Sequence, residues 1–183
     1  MDARGAAEVP SDPFWSAVRR RHSVIDIVVL PDDGGPDDVE LPEPDPELVE
    51  SVPSEFDAWV ADVWQRLLPH VDCPPTDARW TPGSLPGSLT RTALLAAQVD
   101  EVTALQSLAG AVRWLETDGW HVLAPQDGMP RVLAGRDEGD ESTARRELQI
   151  VHVPATDRFA VAATWGPLVV GEVAAKQATG VGA

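Results

Sequence analysis

The stretch RELQIVHVPATDRFAVAATW, residues 146–165, decides the fold. Its two halves are rich in β-branched and aromatic residues, and the segment Pro154–Asp157 between them has the composition of a turn. In the second half, apolar residues occupy every other position, at Phe159, Val161, Ala163 and Trp165. This period of two is that of a β-strand with one buried face. We therefore predict an antiparallel hairpin, 146–153 paired with 158–165.

A second hairpin is predicted immediately upstream. The apolar segments 120–124 and 131–135 flank a turn that contains Asp127 and Gly128. The acidic segment 137–142 then connects the two hairpins. It is too short for a calcium-binding loop, so we expect an exposed hairpin tip. Together the two hairpins predict a C-terminal four-stranded antiparallel meander.

A helix is predicted from Ser54 to Leu68. Ser54 and Asp57 have the spacing of a capping box, and Pro69 ends the pattern. Apolar residues recur at steps of three and four, at Phe56, Trp59, Val60, Val63, Trp64, Leu67 and Leu68. Two tryptophans on one helix are also typical of binding grooves. At this spacing we expect Trp59 and Trp64 to pack in the core.

A second amphipathic helix is predicted to end at Gly119, with its start left open between Ser88 and Asp100. Its apolar side is expected to consist of Val102, Leu105, Leu108, Ala109, Val112 and Leu115. Residues 88–98 just before it fit either a strand or a helix, because they alternate weakly and are rich in alanine. The predicted class is therefore α+β, with two main amphipathic helices packed on a mainly antiparallel sheet.

The remaining segments complete a single predicted domain, 1–183. Residues 14–22 suit a short helix that ends in three arginines, and 24–30 suit a largely buried strand. The segment 31–53 is acidic and rich in proline, which favours a loop, and the small residues of 171–183 favour a flexible tail. At 183 residues the chain has about the size of one domain.

The charge of the chain is concentrated in one segment. The net charge is −16, and the segment from Asp26 to Asp62 contains acidic residues but no lysine or arginine. One interpretation is a solvated loop that aids solubility. The other is an arm that docks on a basic protein partner, in which case the candidate partner-binding residues are Asp32, Asp33, Asp37, Asp38, Glu40, Glu43, Asp45 and Glu47.

Several classes of protein are disfavoured by composition. Nucleic-acid binding needs a positive surface, which this chain lacks. The sequence has no apolar stretch of about 18–20 residues that could span a membrane, and its acidic N-terminal segment does not predict a secretory signal. A single cysteine, Cys73, excludes an internal disulfide. We therefore expect a cytoplasmic protein, with its oligomeric state left open.

Local motifs for chemistry are also lacking. His70 and Cys73 could supply half of a metal site, but the other histidines are scattered, so no metal or cofactor is expected. The glycines of 83–87 match neither phosphate-binding pattern. Because active sites are assembled from residues that are distant in the sequence, an enzyme remains an alternative. It would be a small hydrolase or transferase with its site on the sheet around His121 or His152. A further alternative is a structural subunit of a larger assembly.

The order of the segments carries one resemblance. An aromatic helix, Trp80, a long helix that ends at 118–120, and a meander with VPATDR at 153–158 resemble small proteins of GC-rich bacteria encoded near secreted toxins or type VII secretion genes. The abundance of arginine over lysine agrees with a GC-rich genome. The resemblance implies an immunity protein or a secretion accessory or chaperone. We therefore expect a non-enzymatic, acidic protein-binding module.

Overall fold

The computed structural model describes residues 42–125, 127–139 and 142–180, which all lie in one compact unit that runs from Leu41 to Ala183. Within them the helices are α1 (Leu48–Leu67), α2 (Glu101–Thr117) and α3 (Glu172–Thr179). The strands are β1 (Arg79–Pro82), β2 (Ser88–Gln98), β3 (His121–Leu123), β4 (Arg131–Asp137), β5 (Arg145–Val153) and β6 (Arg158–Val169). The predicted helix 14–22 and strand 24–30 lie outside the described residues.

The six strands form one sheet in the order β1-β2-β6-β5-β4-β3, and every neighbouring pair is antiparallel. The α+β class and the C-terminal meander β3–β6 are therefore confirmed. Residues 88–98, for which the sequence pattern fitted either a strand or a helix, form β2. The strand pairs along its length with β6, with Ala93 opposite Ala163 and Leu95 opposite Val161. Pairing with a partner 60 to 80 residues away in the sequence decides between strand and helix here.

The helices α1 and α2 pack side by side on one face of the sheet. Helix α1 contacts β2 and β6, and α2 contacts β3, β4 and β5. The strands contribute Leu95, Val161, Ile150 and Val132 to the core beneath them, all at most 2% exposed. Trp64 is fully buried, as predicted, and its Nε1 donates a hydrogen bond to the carbonyl of Val71 at 3.1 Å. We call this side of the sheet the helix face.

Helix α1 begins at Leu48, so the predicted start at Ser54 is wrong, and Leu48–Pro53 do not belong to a loop. The chain turns into the helix because Asp45 Oδ1 accepts a hydrogen bond from the Glu47 amide at 2.9 Å. Pro53 is the sixth residue of the helix, so its missing N–H removes the hydrogen bond that would otherwise reach the Val49 carbonyl. The additional turn buries Val52, and this contact outweighs the local signal of proline.

Helix α2 begins at Glu101 with Asp100 as its N-cap, at the C-terminal end of the range left open for its start, and its buried side differs from the predicted one. Val102 is 66% and Leu105 44% exposed, and Ala109 is also exposed. The buried residues are Ala104, Leu108, Ala111 and Leu115. Alanine lets the helix backbone approach the sheet closely. The side of the helix with the smaller side chains is therefore buried, and the most hydrophobic side is not.

The flexible tail predicted for 171–183 is wrong over residues 172–179, which form α3. Ala174, Ala175 and Ala178 have helical spacing and pack against the core cluster. The helix follows Gly171, whose positive φ of 86° turns the chain at the end of β6. Small residues here permit close packing of a short helix, which composition alone does not distinguish from a mobile tail.

Candidate functional site

Among the described residues, α1 and α2 cover one face of the sheet, and side chains of the other face are exposed. On β2, Leu95 points to the helix face and is 1% exposed, whereas its neighbour Leu94 points to the other face and is 57% exposed. At the far edge Leu123 of β3 is 60% exposed. Successive side chains of a strand point to opposite faces, so these exposed leucines mark a second surface, which we call the open face.

The open face has an apolar centre that crosses the sheet. Leu94 lies opposite Ala162, Gln149 lies opposite both Ala162 and Leu133, and Leu133 lies opposite Leu123. Directly paired residues project to the same face, so this is one continuous row interrupted only by an amide. The next row adds Ala160 and Val151. We call these residues the apolar patch: Leu94, Leu123, Leu133, Val151, Ala160 and Ala162.

Two wide depressions lie on this surface and meet near its centre. One has a volume of about 470 Å³, with His121, Leu123 and Glu147 in its lining. The other has about 530 Å³ and is lined in part by Arg79 and Leu94. Ala162 and Thr164 line both depressions. The open face is therefore an uneven, half-apolar surface with room for side chains of a binding partner.

Arginines border the apolar patch on two sides. Arg79 and Arg145 lie beyond one long side of it, and Arg158 lies beyond the other. Arg131 stands opposite Val151, at the end of the second apolar row. The Arg145 guanidinium lies over Gly135, where an added Cβ would collide with it. We call these four residues the arginine rim.

Acidic side chains on the open face lie near two of the rim arginines: Asp77 lines the same depression as Arg79, and Asp137 and Glu147 lie beside Arg145. Arg145 Nε lies 3.5 Å from Glu147 Oε1 and 3.9 Å from Asp137 Oδ1, with all three side chains 44–68% exposed. Such exposed pairs contribute little to stability. Among the described residues, the exposed acids of the other side belong to the helices, as with Glu50, Asp57 and Asp62 on α1. The open face thus carries charges of both signs.

The structure describes three of the eight residues predicted to bind a partner. Asp32, Asp33, Asp37, Asp38 and Glu40 are outside the described residues. Glu43, Asp45 and Glu47 are described and exposed, in the segment that leads into α1. Asp45 has a structural role, since its amide donates to the Val169 carbonyl at 3.0 Å and its carboxylate receives the Glu47 amide.

A cluster of cationic and aromatic side chains lies at one end of the helix face, and sequence reasoning missed it. The Arg146 guanidinium lies 3.9 Å from the ring centre of Trp165 and 5.3 Å from that of Trp59. Trp59 stacks on Trp120 at 6.1 Å, and Arg136 covers Trp120 at 4.9 Å. The members of the cluster come from separate segments, and α1 supplies Trp59 from 87 residues before Arg146, so no local pattern in the sequence indicates the cluster.

The residues considered for catalysis do not come together. His121 lies on the open face, while His152 is fully buried on the helix face, where neither ring nitrogen has a hydrogen-bond partner among the described residues. Cys73 is half-buried, and burial raises the pKa of its thiol, which disfavours the reactive thiolate. The part of the chain that the structure describes has no group of three or more His, Cys, Asp or Glu able to hold a metal ion.

Comparison of the chain with protein-family models, curated proteins and solved structures found no match. Among the helices of the described ranges, none is long and apolar enough to cross a membrane. The function is therefore argued from the geometry of the open face and from the charge of the chain.

Proposed function

We propose that this chain is a non-enzymatic protein-binding module and that the open face is its binding surface. The observation that supports this most directly is the exposure of Leu94 and Leu123 at the two ends of one apolar row across the sheet. Apolar groups in such a continuous surface mark an interaction site more often than scattered exposed leucines do. The polar and charged border around the patch is typical of protein interfaces.

The size of the surface is adequate for a protein partner. Six strands about 4.8 Å apart span about 24 Å, and the eight steps from Arg145 to Val153 span about 26 Å at 3.3 Å per residue. The resulting area of about 600 Å² approaches the roughly 800 Å² that each partner contributes to a standard interface. The two depressions are wide and shallow, which fits protuberant side chains better than a small enclosed substrate.

An enzyme is less well supported. A nucleophile needs a general base within hydrogen-bond distance. In the described ranges the hydrogen bond of Cys73 goes to the carbonyl of Pro74 at 3.6 Å, which offers no base. His121 and His152 lie on opposite faces of the sheet and cannot act on one substrate.

Finer parts of the proposal rest on other grounds. The role of an immunity protein or secretion accessory is supported by the resemblance in segment order, and a cytoplasmic location by the single cysteine. The acidic segment from Asp32 to Glu47 is proposed as a separate element that steers a partner with a basic surface, and the exposure of Glu43 and Glu47 supports it.

The proposal is tested with paired variants. Leu94→Glu combined with Leu123→Glu places charges in the apolar patch, while Val102→Glu combined with Leu105→Glu places the same charges on exposed positions of α2. Both variants should fold with thermal midpoints close to that of the parent, because all four side chains are exposed. A stoichiometric partner isolated from the source organism, purified and titrated back, should bind the α2 variant normally and the sheet variant at least tenfold more weakly. Equal binding to both variants would exclude the open face.

A further inference from the structure

We propose that the open face binds a second copy of this chain and that the two sheets pack face to face across a two-fold axis. This inference rests on the proposed function and specifies the partner. The strand registers, the charges on the open face and the area of that face support it.

A central row of paired residues crosses the open face, with one residue on each of β2, β6, β5, β4 and β3. Its members are Leu94, Ala162, Gln149, Leu133 and Leu123. A two-fold axis that lies in the interface along this row places each member against the same residue of the second copy. Leucine then covers leucine, and the Gln149 amide can both donate to and accept from its own copy. Leu94 and Leu123, both more than half exposed in the single chain, are thereby removed from water.

The same axis reverses the direction of the strands, so the strands of the two copies lie along one another. Two sheets commonly pack in this aligned way, about 10 Å apart, with interdigitating side chains. The two depressions on each face give room for side chains of the facing sheet.

Charges on the two sides of the central row complement each other under this axis. On one side Asp137 and Glu147 share a single cation, Arg145, so one carboxylate there is in excess. On the other side Arg131 has no ion pair within the described ranges. The axis exchanges the two sides and places Arg131 of the second copy above the paired residues Gly135 and Glu147. With Arg145, two guanidinium groups then face two carboxylates, and symmetry forms this contact twice.

The open face is also the side on which two copies of an acidic chain repel each other least. The net charge is −16, and exposed acids such as Asp57 and Asp62 lie on α1. On the open face the rim arginines lie among the acids described above, so these charges nearly cancel. Contact through α1 would set carboxylates against carboxylates. Arg158, two rows from the axis, lies at the border of the interface, where charges stay hydrated.

The area of the open face is sufficient for a dimer. Each copy contributes about 600 Å², so the interface buries about 1,200 Å², which is the lower end of the range for specific protein interfaces. An interface of this size predicts a dimer that dissociates on dilution.

Two other occupants fit less well. A strand added to the sheet would need a long free edge, but β1 has four residues and β3 has three. A helix of another protein would lie on the central row, but the mixed charges beside the row select neither an acidic nor a basic helix. A second copy supplies both the leucines and the complementary charges from one surface.

The experiment is sedimentation velocity of the full chain between about 1 µM and about 200 µM, because a dimer that dissociates on dilution changes its mass with concentration. The mass should rise from that of a monomer toward that of a dimer. Leu94→Glu combined with Leu123→Glu sets glutamate against glutamate on the axis and should leave the chain monomeric. Val102→Glu combined with Leu105→Glu, on α2, is the matched control and should dimerise like the parent. A parent chain that stays monomeric, or a dimer that persists in the sheet variant, would overturn the proposal.

A charge exchange tests the position of the axis. Glu147→Arg sets a guanidinium group against Arg131 of the second copy, and Arg131→Glu sets a carboxylate against Glu147. Each variant alone should dimerise at least about tenfold more weakly than the parent, because like charges then meet at both symmetric contacts. In a mixture of the two variants both contacts join opposite charges, so a heterodimer should form with nearly the parental affinity.

Arg113→Glu, at an exposed arginine on α2, is the control for Arg131→Glu and should leave dimerisation unchanged. A mixture that dimerises no better than the separate variants would overturn the axis along the central row.

The outcomes separate this inference from the proposed function. If the parent chain is monomeric while the Leu94→Glu and Leu123→Glu variant loses a natural partner, the open face is the binding surface but a second copy is the wrong occupant. If the parent chain is monomeric and that variant binds the natural partner normally, the surface itself is wrong. Dimerisation that the same leucine substitutions abolish supports both.

Discussion

The side chain of Arg146, on β5, contacts residues of α1. Its side chain is 11% exposed, and its Nη2 donates to Glu55 Oε1 at 2.6 Å. Its Nε lies 2.8 Å from Glu138 Oε1 without the alignment of a hydrogen bond, so attraction between the charges holds that contact. The flat guanidinium also lies between the rings of Trp59 and Trp165. Glu138, expected at an exposed hairpin tip, is in fact a partner of this arginine.

We predict that Arg146→Lys lowers the free energy of unfolding by about 1–2 kcal/mol, because an ammonium group cannot stack flat between two rings. Arg146→Ala should cost about 3 kcal/mol or more, since it leaves Glu138 without its partner. Urea denaturation measures both. The control is Arg145→Lys, on the neighbouring exposed arginine, which should change stability by no more than about 0.5 kcal/mol. Equal effects at the two positions would show that the cluster contributes no more than a surface charge.

At the scale of single elements, α2 shows how a local signal and strand pairing together determine a boundary. Asp100 Oδ1 accepts from the Thr103 amide at 3.0 Å, and Oδ2 accepts from the Thr103 hydroxyl at 2.7 Å. Both hydrogen bonds favour the ionised carboxylate and lower the pKa of Asp100 below its usual value. The bond from the Thr103 amide has the larger effect. The capping residue and the helix are adjacent in the chain, but the alanine-rich residues 88–98 left the predicted start open, and only the pairing of β2 places it at Glu101.

The lowered pKa of Asp100 predicts a pH dependence. Because the pKa of Asp100 is lower in the folded state, its ionised carboxylate stabilises the fold fully at pH values above the unfolded-state pKa near 4. This contribution is lost as the pH falls through the folded-state pKa. Asp100→Asn keeps a capping side chain but removes the titration. We expect the stability difference between parent and variant to shrink as pH falls from about 5 to about 2. Thermal unfolding across this range measures it, and a difference independent of pH would contradict the assignment. Asp127→Asn, at an exposed turn, is the control.

At the scale of the whole molecule, charge is distributed unevenly. The exposed acids of α1 crowd the helix side of the sheet, whereas the rim arginines lie on the open face. Like charges crowded on one side repel one another and destabilise the compact state.

We predict that stability rises with salt at low ionic strength. Between about 10 and 200 mM sodium chloride the Debye length falls from about 30 to about 7 Å, which screens repulsion among the acids. The thermal midpoint should rise by a few degrees. Glu50→Gln combined with Asp57→Asn should raise the midpoint in low salt and flatten its salt dependence, because both residues are exposed on α1. A midpoint that falls as salt is added would show that attractive ion pairs dominate instead.

The sequence by itself determined the elements whose signals are local. The hairpin of β5 and β6 follows from the alternation of Phe159, Val161, Ala163 and Trp165, which are all at most 6% exposed. The end of α2 just before Gly119 follows from that glycine, whose φ is 80°. Cap, turn and period all act between residues a few positions apart, so they can be recognised before the chain is folded.

Tertiary structure alone decided the features that join distant segments. Residues 88–98 become a strand because β6 pairs with them, and α1 extends through Pro53 because its first turns cover the core. The open face was beyond sequence reasoning for a related reason. Alternation shows that one face of a strand is buried, but whether anything covers the other face depends on where the helices pack. The Arg146 cluster likewise exists only because the fold brings α1 against β5 and β6.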